Sequence, residues 1–283
     1  MSGAIETVEV GGGVRLAVAD AGAGPAVILL HGWPVTSSHW RLAVPALTAA
    51  GFRAICADLR GQSASVGPGT FAKEELARDV VALAERLGLN RFALAGHDWG
   101  GTVAYLVAAD HDERVAALVV EEELLPGCRE SVPEPGRAHY PDWHGPLLRA
   151  PGLAEALVTG REEAFHRAFL RQSAGPMGLP AEAERAYLDA YRGPAALAAS
   201  LGYYRTATQD AEDIAARADP PLRVPVLTIG GEFAMGTAVK RCLAARAVDV
   251  RHLEVPGAGH YPAEQRPDLV APALVAFLSE HLR

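Results

Sequence analysis

The residues best suited to chemistry in this chain are Gly96-His97-Asp98-Trp99-Gly100-Gly101, set between an apolar run and an amphipathic one. Phe92-Ala93-Leu94-Ala95 reads as a short buried strand and Thr102 to Ala109 as a helix, so the polar residues fall on a strand-to-helix turn. Small residues at Gly96 and Gly100 let strand and helix pass closely, which pushes the central side chain out at the top of a sheet. That side chain is Asp98, the expected nucleophile, because a carboxylate is ionised at neutral pH and needs no base to activate it. The plainer reading is that Asp98 only caps the helix it precedes. The rest of the chain weighs against that.

The elements that must position Asp98 alternate along the sequence. Thr7 to Val10 and Val14 to Ala19 read as a hairpin turned by Gly11-Gly12-Gly13, and Ala26 to Leu30 is uninterrupted in its apolarity, as a strand buried on both faces must be. His31-Gly32-Trp33-Pro34 then forms a loop, followed by a helix over Ser38 to Ala50, a strand over Phe52 to Ala57 and a helix over Glu74 to Leu87. Beyond the Asp98 turn, Val115 to Val120 is a further buried strand, and Pro225 to Ile229 and Val250 to Val255 complete the set before a closing helix over Pro267 to His281. The expected fold is α/β, a mostly parallel eight-stranded sheet flanked by helices. Between its two parts, residues 1–123 and 220–283, no strand-like run occurs over 124–219. That interval, with an irregular proline-rich entry and helices over Glu162 to Gln172, Ala181 to Tyr191 and Pro194 to Thr208, is expected to be a helical cap at the strand ends, above Asp98.

Composition narrows the partners. A formal net charge of −8 with no cluster of Lys and Arg argues against nucleic acid or an anionic membrane. Met1 to Glu6 has no basic segment leading into an apolar one, and no apolar run approaches spanning length, so a cytoplasmic protein is expected. Cys56, Cys128 and Cys242 suggest neither a disulfide framework nor a zinc site.

Taken together, His31-Gly32-Trp33-Pro34, Asp58-Leu59-Arg60-Gly61, the Asp98 hexapeptide and Gly257-Ala258-Gly259-His260 resemble the α/β-hydrolase fold in its epoxide hydrolase and haloalkane dehalogenase branch, over nearly the whole chain. The resemblance implies that His260 activates the water that cleaves an ester formed on Asp98, a role in which a carboxylate must orient it. Two places could supply that carboxylate, Glu121-Glu122-Glu123 after one strand and Glu232 after another. In the similar bacterial subgroup, which includes an enzyme that targets a host chloride channel, the acid follows the strand after the elbow, and Glu122 takes that register. Glu232 is the alternative. Strand alternation turns neighbouring glutamates apart, so the others are expected to be solvated or satisfied within loops. Backbone N–H groups of Trp33 and Trp99 are implied as the oxyanion hole. The side chains of Trp33, Trp99 and Trp143 are implied as substrate contacts.

The leaving group separates the two activities. A halide departs as a stable anion, whereas an epoxide oxygen leaves as a basic alkoxide and needs a proton or a strong hydrogen bond. Trp143-His144 and Tyr203-Tyr204-Arg205 match the lid motifs of the epoxide hydrolase subgroup, which implies His144 and Tyr204 as donors. Tyr204 shares one helix face with Leu197 and Leu201, while Tyr203 is turned away by about 100°. Tyr140 is the alternative to His144. The function implied is conversion of an epoxide to a vicinal diol, with a small-molecule epoxide and water as partners, no metal or organic cofactor, and homodimers possible for the subgroup. Haloalkane dehalogenases usually carry asparagine where this chain has Trp33, and fluoroacetate dehalogenases carry arginine where it has Trp99. Trp99 itself is shared with haloalkane dehalogenases. A non-catalytic receptor on the same scaffold would keep the pocket without needing the donors.

Overall fold

A computed structural model describes residues 5–282; Met1 to Ala4, on which most of the N-terminal reading rests, lie outside the described residues. The strands are β1 (Ile5–Gly11), β2 (Val14–Ala21), β3 (Ala26–Leu30), β4 (Arg53–Ala57), β5 (Phe92–His97), β6 (Val115–Glu121), β7 (Val226–Gly231) and β8 (Val250–Val255). They form one sheet in the order β1-β2-β4-β3-β5-β6-β7-β8, parallel except for the antiparallel pairs β1–β2 and β2–β4. The chain moves from β3 outward to β4, then returns to the other side of β3 as β5. Such a reversal opens a crevice at the carboxyl ends of β3 and β5, where ligands of open α/β sheets bind.

Alternation along the strands builds a core on each face. Val27, Leu29, Ala93, Ala95, Leu227 and Ile229 point to the side covered by helices α1 (Val44–Ala49) and, at the end of the chain, Pro267–His281. Ile28, Leu30, Leu94, Leu118 and Val120 point to the side covered by α2 (Lys73–Arg86) and α3 (Trp99–Asp110).

The interval between β6 and β7, expected to be a cap, carries α4 (Gly136–His139), α5 (His144–Arg149), α6 (Leu153–Val158), α7 (Glu162–Ser173), α8 (Ala181–Ala190), α9 (Pro194–Arg205) and α10 (Ala207–Ala215). The chain closes through α11 (Ala238–Ala244), α12 (Pro262–Gln265) and α13 (Pro267–His281). Two expected helices are divided. Ser38 to Ala50 becomes a 3-10 turn, Ser37–Trp40, followed by α1, because Pro45 has no N–H and is accommodated only in a first turn. The segment Pro194 to Thr208 breaks at Thr206 into α9 and α10. The cap entry, expected to be irregular, holds α4, α5 and α6, each of six residues or fewer, too short to show a helical period.

Candidate active site

Asp98 stands between β5 and α3 at φ +50°, ψ −131°, a conformation held by close approach of the backbone on both sides. A methyl group on Gly96 would lie 2.2 Å from the carbonyl oxygen of Gly100, and one on Gly100 would lie 2.5 Å from that of His31. The elbow therefore requires glycine at both positions. Its side chain is turned to the crevice end, 4% exposed, and the backbone N–H of Trp33 donates to Oδ1 at 2.8 Å. The Trp33–Pro34 bond is cis.

His260 follows β8. Its Nε2 lies 3.5 Å from Asp98 Oδ2, and its Nδ1 lies 3.0 Å from Glu122 Oε2. Glu122 also accepts the backbone N–H of Gly231 at 2.6 Å and of Met235 at 3.2 Å, so its orientation is fixed from the end of β7. Glu232, the alternative acid, instead accepts the N–H of Gly257 at 2.8 Å and braces the loop that carries His260. Burial opposes a charge on His260, but its contacts with the Asp98 and Glu122 carboxylates outweigh that and raise its pKa to about 9. The same contact with His260, against the opposing effect of burial, holds Asp98 below the usual aspartate value.

Neither neighbour of Glu122 is solvated; of the two outcomes expected for that run, solvation or satisfaction by nearby groups, both residues take the second. Glu121 is 0% and Glu123 5% exposed. Glu122 sits at φ +52°, which ends strand alternation and sends three successive carboxyl groups inward along three directions. Glu121 accepts the N–H of Ala263 at 2.9 Å and lies 3.2 Å from His39 Nε2; burial pushes its pKa up to about 8. Glu123 accepts the hydroxyl of Thr102 at 2.5 Å.

A cavity of about 460 Å³ opens above Asp98, lined by Trp99, Glu123, Tyr140, His144, Arg149 and Tyr204. The Tyr204 ring stands edge-on to both Trp99 and Trp33, each at 5.3 Å, and to His144 at 5.5 Å. Tyr140 stands between His144, at 5.9 Å, and His260, at 4.9 Å. Burial, reinforced by the nearby Asp98 carboxylate, pushes both tyrosines well above the ordinary phenol value. Both stay protonated at neutral pH. Burial lowers His144 to about 4, so its ring is neutral and can donate through one N–H.

Two of the expected substrate contacts lie outside the lining of this cavity. Trp143 is outside the cavity lining: its ring N–H donates to Gln172 at 2.9 Å and its ring meets Phe165 edge-on at 5.6 Å, because consecutive residues entering a helix diverge. The Trp33 ring is also outside that lining, 1% exposed, stacked on His144 with its N–H donated to Ser200 at 3.0 Å. Trp33 thus supplies its amide to Asp98 and wedges core against cap.

A buried ion pair not expected from the sequence supports the cavity floor. Lys73, at the start of α2, pairs with Asp210 of α10 at 2.9 Å, donates to Thr206 at 3.1 Å and to the carbonyl of Tyr203, and stands 3.8 Å from the centre of the Trp99 ring. It ties the α9–α10 break, and with it Tyr204, to the core. Only a helical count would have flagged it: a Lys at the buried position of an amphipathic helix must have a partner. Among the described residues, no group of three or more His, Cys, Asp or Glu is arranged to hold a metal ion, and no helix is long and apolar enough to cross a membrane.

Residues 25–267 match the family described as the alpha/beta hydrolase fold. The soluble epoxide hydrolase of Corynebacterium sp. (strain C12) is 29% identical over 276 residues, 94% of this chain and 94% of that protein. A fluoroacetate dehalogenase of Burkholderia sp. is 30% identical over 284 residues, 95% of this chain and 92% of that protein. Among solved structures, the ligand-free epoxide hydrolase CorEH superposes with a TM-score of 0.87 at 28% identity, covering 98% of this chain and 99% of that one.

Proposed function

The chain belongs to the alpha/beta hydrolase fold family, and from that premise we propose that it is an epoxide hydrolase, converting a small-molecule epoxide and water to a vicinal diol through an ester on Asp98. The observation that carries this reading is the set of neutral donors, Tyr140, His144 and Tyr204, lining one cavity with an ionised carboxylate. A departing alkoxide needs such donors, and a departing halide does not need a proton at all.

In this mechanism Oδ1 of Asp98 rests on the Trp33 amide, so Oδ2 attacks the epoxide carbon. The carbon–oxygen bond of the ring opens, and the oxygen takes a proton from Tyr204 while His144 donates a hydrogen bond. The ester carbonyl is then Oδ1, already in place to carry negative charge, with the Trp99 amide as its second donor. Esterification removes the charge beside Nε2 of His260. That lowers the affinity of His260 for its proton, which returns to the Tyr204 phenolate and leaves His260, oriented by Glu122, as the base for water. Water gives a proton to His260 as it attacks Cγ, the bond to Oδ2 breaks as Oδ2 takes that proton, and the diol leaves with Oδ2 as its second hydroxyl oxygen; the acid formed on Asp98 then returns its proton to His260.

A single turnover in oxygen-18 water tests the route. The label is expected in the Asp98 carboxylate by peptide mass spectrometry, with unlabelled diol; label in the diol and none in Asp98 would overturn it. Haloalkanes and fluoroacetate belong in the same panel, because halide release without diol formation would favour a dehalogenase.

The donors give a second expected result. Y204F removes one hydroxyl from a group that acts only as the ring opens, so kcat should fall by about 10²-fold or more with little change in substrate binding. Equal losses in H144F and Y140F would spread the proton donation over three residues; unchanged kcat in Y204F would remove Tyr204 from the mechanism.

A further inference from the structure

The proposed reaction leaves one polar group of the cavity without a task. Glu123 lines the same space as Asp98, Trp99, Tyr140, His144 and Tyr204, yet attacks nothing and orients none of them. It is 5% exposed, and one of its oxygens, Oε1, is held by the Thr102 hydroxyl at 2.5 Å. No hydrogen bond or ion pair to Oε2 occurs among the described residues. Of the cations that act on it, His260 is committed to Asp98 and Glu122, and Lys73 to Asp210, Thr206 and the carbonyl of Tyr203. The backbone leaves Glu123 little room to move, since a methyl group on Gly101 would lie 3.1 Å from its Cβ. A carboxyl group built into a cavity wall with one oxygen fixed and the other free is a hydrogen-bonding position for a ligand.

We infer that Glu123 is a specificity-determining residue, whose free carboxyl oxygen hydrogen-bonds a hydroxyl or carbonyl oxygen carried one or two bonds from the epoxide ring. The inference rests on the epoxide hydrolase reading above and narrows its substrates to epoxides with a polar substituent. Burial first, and then the charge of Asp98, push the affinity of Glu123 for its proton well above the usual carboxylate range. A carboxyl group accepts from a hydroxyl in either protonation state and, when protonated, also donates to an oxygen. A site built to bond a polar group rejects an analogue that lacks it, because the buried partner is then left unsatisfied.

Glycidol and 1,2-epoxybutane, which differ by a hydroxyl in place of a methyl, provide the test. In E123L, kcat/KM for glycidol should fall about 10-fold or more while that for 1,2-epoxybutane changes less than about 3-fold; E123Q, which still donates and accepts, should keep both within about 3-fold. Comparing each variant with wild type cancels the different intrinsic reactivities of the two rings. Equal losses for both epoxides in E123L, as a structural role through Thr102 would produce, overturn the inference, as does no loss for either. A wild-type measurement covers the case in which E123L does not fold: glycerol should inhibit at least about 5-fold more tightly than 1,2-butanediol, and equal inhibition overturns the inference. Failure of the wild type to form diol from either epoxide would instead sink the proposed reaction, and the role of Glu123 with it.

Discussion

H260Q is expected to stop halfway, accumulating one equivalent of substrate as an ester on Asp98 while kcat for diol release falls by about 10³-fold or more. The asymmetry follows from which group needs a base. Asp98 is ionised before substrate arrives, held with Oδ1 on the Trp33 amide, and nothing in its attack requires a proton to be removed from it. Water does require that, and the ring nitrogen suited to the task is Nε2 of His260, 3.5 Å from Asp98 Oδ2, with Nδ1 anchored 3.0 Å from Glu122. Glutamine fills much of the imidazole volume and cannot act as a base. Intact-protein mass spectrometry after mixing with an epoxide should show the protein mass plus one substrate, and far-UV circular dichroism should match wild type. Loss of activity without an adduct would place His260 before the ester forms and would overturn the order of steps.

The parts of this site that could be read in the sequence are those set by local pattern. β3, β8 and α13 occupy Ala26–Leu30, Val250–Val255 and Pro267–His281, the spans indicated by apolar runs and helical periodicity. The Asp98 turn was legible because its glycines are demanded by contacts within the elbow and the adjoining β3. Glu122 was harder to read. Alternation separates neighbours only while the backbone is extended, and at Glu122 it turns to φ +52°, so Glu121, Glu122 and Glu123 are all buried in different surroundings. Period alone could not show a bend at one residue. Lys73 and Asp210 were illegible for another reason: they lie 137 positions apart, and the pair forms only once the cap docks on α2. The same docking decides that His144 reaches the cavity while Trp143 packs against Phe165.

D98N is expected to abolish adduct and diol alike, with kcat reduced about 10⁴-fold or more, and to lower the pKa of His260. The second effect tests the electrostatic switch on which ester hydrolysis depends. In the free protein, His260 is raised to about 9 against the opposing effect of burial by two carboxylates, Asp98 and Glu122. A unit charge 3.5 Å away contributes roughly 5 kcal/mol at an effective dielectric of about 20, enough for a shift of several pKa units at the upper limit. Asparagine removes the charge as the ester does, while keeping the shape, so the variant mimics the electrostatics of the intermediate. Its His260 should titrate at least about one unit lower, read from the imidazole resonances by NMR. The sign carries through to stability. A histidine whose folded pKa exceeds the unfolded value of about 6.5 contributes fully below that pH and loses its contribution as pH rises through about 9. Wild type should therefore lose more melting temperature than D98N between pH 7 and 9. Glu121, raised to about 8 by burial, destabilises both proteins over the lower part of that range, so the difference between the two curves reports the charge at position 98. If His260 titrates at the same pH in both proteins, Asp98 does not hold its proton, and the ester cannot be what releases the base.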